Sequence, residues 1–228
     1  MRRIHYGGHP AQFGMLSLPA GEPAGVAVLV HGGFWKPEYG MEYALPLVPS
    51  LVDRGWATWV VEYRRGTGAA DTMVDVRAAV DGVPLDVPLR VALGHSAGGH
   101  LAVWAAAGGG LTHAVSQAGV LDLRAAHRAG LGDGAVERFL GHAPGPADDA
   151  VDPIRMLPIG VPVWCVHGRG DDTVPIDQSR AFVAAAGGEA QLVEVEGDHF
   201  TLVDPDSDAW ACTLAILDGI SGGPVAAR

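Results

Sequence analysis

The chain has 228 residues, of which 48% are apolar and 18% charged, and its formal net charge is −11. That length supports one large buried core, the composition excludes an intrinsically disordered chain, and the acidic excess leaves no basic face for nucleic acid. Acidic clusters such as Asp148-Asp149 and the run 204–208 read as solvated surface.

Along the chain, the first residues carry Arg2 and Arg3 with no apolar stretch behind them. No secretion signal is therefore expected, and no run approaches the ~20 apolar residues of a membrane span. Cys165 and Cys212 lack the spacing of a disulfide framework, which fits thiols in a reducing, cytoplasmic setting. Apolar, β-branched runs predict strands over 13–18, 26–30, 57–61, 89–93, 114–117, 161–166 and 191–195. Several are continuous rather than alternating, as in strands covered on both faces of a parallel sheet.

Helical patterns fall between the strands. One spans 47–54, where Pro46 and Pro49 disturb the start; another spans 71–80, with Met73, Val76 and Val80 on one face. A third follows Ser96 and stops at Gly108-Gly109-Gly110, and a fourth over 177–186 is closed by Gly187-Gly188. Ser207 caps a last helix that aligns Trp210, Leu214 and Leu217. The Gly/Pro-rich stretch 131–158 reads as loop with short helices at most, and 222–228 as a loose tail. Strand and helix in alternation predict an α/β fold in one domain, 1–228, with a mostly parallel sheet and helices on both faces. In such sheets, ligands bind beyond the carboxyl ends of the strands.

Three motifs fall there. His31-Gly32-Gly33, Gly94-His95-Ser96-Ala97-Gly98 and the segment 167–172 each directly follow a predicted strand. A serine on a sharp strand-to-helix turn presents its hydroxyl clear of the sheet, and flanking glycines keep neighbouring backbone from colliding. A serine hydroxyl needs a base, and the base needs an orienting carboxylate. Ser96, Asp171 and His199 occur in the expected chain order. Asp172 is a rival for the acid, and Asp122, after the 114–117 strand, is a weaker one. The developing oxyanion needs N–H donors; Ala97, at a helix start, and the glycine loop after the 26–30 strand offer them. His31 and His167 read as structural histidines holding loops. No histidine pair has metal-ligand spacing, so no metal is expected.

These motifs resemble the α/β-hydrolase superfamily in its esterase, arylformamidase and prolyl-oligopeptidase-like branches. The resemblance rests on His31-Gly32-Gly33-Phe34-Trp35, Gly94 to Gly98, the His167-Gly168-x-x-Asp171-x-x-Val174-Pro175 pattern and His199. It implies a single-domain α/β-hydrolase fold with no large lid domain, Ser96, Asp171 and His199 as catalytic residues, and no metal or organic cofactor. It also implies oxyanion donors at the amides of Gly33, Phe34 and Ala97, with Trp35 and His95 beside the substrate. The expected substrate is a small-molecule ester or amide with a short acyl group. The His-Gly-Gly-x-Trp string is similar to that of kynurenine formamidases, which makes an aryl formamide one expectation and a small carboxylic ester the other. A peptidase is the weaker alternative, since that branch normally adds a further domain. A non-catalytic ligand-binding protein on the same fold is the alternative from another class.

Overall fold

In the computed structural model, which describes residues 1–222, the apolar runs become the centre of one eight-stranded sheet. Its strands are β1 (Arg2–His5), β2 (Phe13–Ser17), β3 (Gly25–Val30), β4 (Trp56–Val61), β5 (Arg90–His95), β6 (His113–Gln117), β7 (Val163–Gly168) and β8 (Ala190–Val195). The order across the sheet is β1-β2-β4-β3-β5-β6-β7-β8. β1 and β2 pair antiparallel to each other, as do β2 and β4, while every pair from β4 to β8 is parallel. β3 and β4 are buried at all six positions, which is why their sequences show no alternation.

Helices cover both faces. On one side Val26, Val28 and Val30 of β3 pack with Met73, Val76 and Val80 of α2 (Ala69–Asp81) and with Leu101 of α3 (Ala97–Ala107). On the other, Ala27 and Leu29 pack with Leu51 of α1 (Val48–Asp53). A separate helix, α7 (Asp208–Ile220), adds Trp210, Leu214 and Leu217 to that side. Two indoles tie layers by hydrogen bonds: Trp59 Nε1 donates to Ala79 O at 2.9 Å, and Trp210 Nε1 to Ser50 Oγ at 2.9 Å.

The α7 cap falls at Ser207, whose hydroxyl accepts from Trp210 N at 2.9 Å. Between β6 and β7 the chain makes α4 (Leu123–Arg128), α5 (Leu131–Leu140) and two 3-10 turns, a small excursion at the edge of the strand ends. Within the first turn of α5, Gly132, Asp133 and Gly134 all take positive φ. After β7 comes α6 (Asp177–Ala186), with the bounds its periodicity predicts.

The sequence pattern misses β1. It is four residues long, holds two arginines, is mostly exposed and pairs with β2 alone, so it carries no burial signal. No helix among the described residues is long and apolar enough to cross a membrane. Residues 223–228 of the expected tail lie outside the described residues.

Candidate active site

Ser96 sits between β5 and α3 with φ 57° and ψ −122°, a left-handed conformation that disfavours any side chain by about 1–3 kcal/mol. Its neighbours hold it there: Ser96 N donates to Gln117 O at 2.8 Å, while His100 N and Val120 N donate to Ser96 O. The flanking glycines are sterically required. A Cβ on Gly94 would stand 2.0 Å from Gly98 O, and one on Gly98 would stand 2.0 Å from Val30 O. The turn thus presses against β3 on one side and its own helix on the other.

The loop after β7 carries Asp171, whose side chain has no exposure. Its Oδ1 accepts from the amides of Thr173 (2.9 Å) and Val174 (2.8 Å), and its Oδ2 lies 2.7 Å from His199 Nδ1. Burial pushes this carboxyl up, but hydrogen bonds from His167, His199 and the Val174 amide outweigh it and hold it well below the usual carboxylate range. An ionised carboxylate only accepts, so His199 Nδ1 carries a proton toward Asp171, and in the neutral imidazole the lone pair is then on Nε2. Asp172 is exposed and accepts a hydrogen bond from Thr173 Oγ1, and His199 pairs with Asp171 alone. Asp122 accepts from Ala125 N at 2.7 Å and caps α4 instead.

Two further histidines support this pair. His95 Nε2 donates to His199 O at 2.8 Å, and the two rings lie 4.4 Å apart. Burial first, and then the nearby His199, push His95 down to about 3, so it stays a neutral donor. His167, read from sequence as a structural histidine, reaches further than that reading. It is fully buried, its Nε2 is 2.8 Å from Val174 O and 3.4 Å from Asp171 Oδ2, and its Nδ1 is 2.8 Å from Ser179 Oγ. The four-residue spacing from His167 to Asp171 was the available signal.

The loop after β3 is the third element. Gly33, Phe34 and Trp35 take φ values of 107°, 50° and 56° in succession, an unusual run for two bulky residues. The turn is closed by Lys36 N donating to Gly33 O at 3.0 Å. Tyr63 fixes its root, donating through its hydroxyl to His31 O at 2.7 Å and stacking on the His31 ring. Buried Glu62 braces the same turn by accepting from the amides of Met41 and Tyr63. The amides of Gly33, Phe34 and Ala97 have no hydrogen-bond acceptor among the described residues. Neither Tyr63 nor Glu62 was singled out from sequence, since neither lies in a motif.

Ser96, His199, His95, Gly33 and Phe34 line one cavity of about 300 Å3, with Tyr39, Tyr43 and Phe200 among its other walls. Trp35, expected beside the substrate, does not line this cavity: it is 3% exposed and stacked on Phe139 at 4.3 Å. The two successive left-handed residues turn the Phe34 ring to the cavity and the Trp35 ring into the core. No group of three or more metal-binding side chains occurs among the described residues.

An eight-stranded, mostly parallel sheet with a serine strained at a strand-to-helix turn is the architecture of the α/β-hydrolase class, and this chain is a serine hydrolase of that class. Residues 54–208 match the prolyl oligopeptidase family, and the chain belongs to it. No curated protein matches the chain.

Among solved structures, the esterase Est2 of Thermogutta terrifontis is 26% identical with a TM-score of 0.76, over 96% of this chain and 90% of that one. A putative thioesterase from Silicibacter sp. TM1040 is 25% identical with a TM-score of 0.72, over 92% of this chain and 83% of that one. A bifunctional GH43-CE protein of Bacteroides eggerthii has a TM-score of 0.83 at 20% identity. That match covers 96% of this chain but only 38% of the other, so the chain spans well under half of that protein.

Proposed function

We propose that the chain is a serine esterase for small carboxylic esters, working through an acyl-enzyme. The observation that carries this reading is the convergence in one cavity of a strained, cavity-lining Ser96 and the His199–Asp171 pair at 2.7 Å. His199 Nε2 takes the Ser96 proton as Oγ attacks the ester carbonyl, and Asp171 stabilises the imidazolium that forms. The free amides of Gly33, Phe34 and Ala97 receive the oxyanion. The imidazolium then gives its proton to the leaving alcohol as the ester C–O bond breaks. Water, deprotonated by His199, attacks the acyl-serine, and the proton returns to Oγ as the acid leaves.

A cavity of about 300 Å3 stands at the small end of the range for small-molecule sites. It favours acetyl- to butyryl-sized acyl groups over lipid chains. Similarity to Est2, which has been solved with propionate bound at 25% identity, supports the same choice. The aromatic walls Phe34, Tyr39, Tyr43 and Phe200 favour a second, narrower reading, an aryl ester or aryl formamide.

The test is kcat/KM for p-nitrophenyl acetate, butyrate and palmitate beside N-formylkynurenine, with Ser96→Ala as control. Acetate or butyrate turnover abolished in the variant is the expected result. Turnover that persists in a pure Ser96→Ala preparation, or palmitate hydrolysed faster than acetate, sinks the proposal. A dominant rate on N-formylkynurenine selects the formamide reading.

A further inference from the structure

Next to the Ser96 cavity lies a second groove of about 360 Å3, and the two share Phe34 and Lys36 as walls. Trp35, Pro37 and Phe139 give the groove apolar faces, and Arg138 gives it a second cation. Lys36 is the sole lysine of the chain. Its Nζ stands 6.0 Å from the centre of the Phe34 ring.

Among the described residues, no carboxylate lies within 4.0 Å of either Lys36 or Arg138. The chain sets 26 acidic residues against 15 basic ones, and eight of its arginines are ion-paired. The Arg138 guanidinium donates to Gly132 O at 2.6 Å and to Asp133 O. A Cβ on Gly132 would meet the Phe34 ring at 2.8 Å, so Arg138 is anchored to the backbone against which Phe34 packs.

We propose that this groove is an anion subsite, in which Lys36 and Arg138 bind a carboxylate carried by the ester substrate beyond its scissile bond. The inference rests on the esterase reading and names the substrate class within it: a small ester with an acidic acyl or leaving group. Lys36 lines both spaces, but Asp133 lines only the Ser96 cavity and Arg138 only the groove, so a substrate anion is drawn to the groove. Two of the Arg138 N–H groups are already committed to carbonyls. The guanidinium's other N–H groups, with the Lys36 ammonium, remain to donate to a carboxylate.

The experiment compares matched esters: 4-acetoxybenzoate with phenyl acetate, and p-nitrophenyl hydrogen glutarate with p-nitrophenyl valerate. In at least one pair the acidic ester is expected to have about tenfold higher kcat/KM, seen in KM and shrinking with added salt. Lys36→Met and Arg138→Met are each expected to bring that ratio close to one, with Arg138→Lys preserving part of it. No acidic preference in either pair, or a preference that survives both Met substitutions, overturns the subsite. If no ester is turned over, the esterase reading fails by itself. Calorimetry of 4-hydroxybenzoate and glutarate against the wild type and Lys36→Met then decides the groove. Binding lost in the variant supports it, and no binding or unchanged binding overturns it.

Discussion

At the residue scale the site depends on which of two adjacent carboxylates turns inward. Asp171 is enclosed and receives two amides and two imidazoles, whereas Asp172 faces solvent. In Asp171→Asn, an amide NH2 can face His199 Nδ1 and force the proton onto Nε2, where it blocks the base. The expected loss in kcat for p-nitrophenyl acetate is about 10⁴-fold. Asp172→Asn should stay within about twofold, as surface changes do. Comparable losses in both variants would remove Asp171 from its role.

The same carboxyl predicts a stability effect of definite sign. Its folded value lies below its ordinary 3.8, so its stabilisation is present above that value and is lost as pH falls through the folded one. Asp171→Asn should therefore lower Tm at pH 7 and approach the wild type in strong acid. A Tm gap that stays constant down to low pH would contradict this.

At the element scale, what the sequence makes legible is what burial writes into it. β3 and β4 are covered on both faces and read as unbroken apolar runs, and α6 and α7 declare their ends by glycine and by a serine cap. β1 was illegible because a short, exposed edge strand has no core to pattern against. The positions of Ser96, Asp171 and His199 at the strand ends were legible because Ser96 directly follows β5, Asp171 lies in the loop after β7 and His199 in the loop before the last helix. The Trp35 position was not, because two consecutive left-handed residues reverse which ring faces the cavity and local sequence does not encode that.

The packing of α7 on α1 offers a test of the inter-layer contacts. Trp210 is fully buried, and its Nε1–Ser50 bond joins the two helices. Trp210→Phe removes that bond and leaves a void, which should cost about 1–3 kcal/mol in urea unfolding. A change below about 0.5 kcal/mol, the size of a surface substitution, would show that α7 docks by other contacts.

At the scale of the whole molecule, opposing terms act when the protein is acidified. Its net charge of −11 repels itself, and protonating surface carboxylates relieves that repulsion, although salt at about 0.15 M screens it beyond about 8 Å. Against this stand buried neutral histidines. Burial pushes His100 down to about 4 and His95 to about 3, from 6.5. Below 6.5 the unfolded chain takes up these protons and the folded one does not, so stability falls as pH drops through that window.

Asp152 acts with the opposite sign. Its burial raises it to about 6 from 3.8, so the folded state binds that proton first and gains stability over the same range. One carboxyl offsets one histidine, and with His31 also pushed down by burial to about 3, at least two histidines remain uncompensated. At pH 5, His100 alone is worth about 2 kcal/mol. Tm is therefore expected to fall between pH 6.5 and 4.5 at moderate salt.

His100 is the residue to change, since it lies on α3 and donates through Nε2 to Val151 O at 2.8 Å, away from the Ser96 cavity. His100→Asn keeps a donor and removes the titration, so the slope of Tm against pH should flatten even if Tm at pH 7 drops. A slope unchanged in that variant would place the acid sensitivity in the surface charge instead of the buried imidazoles.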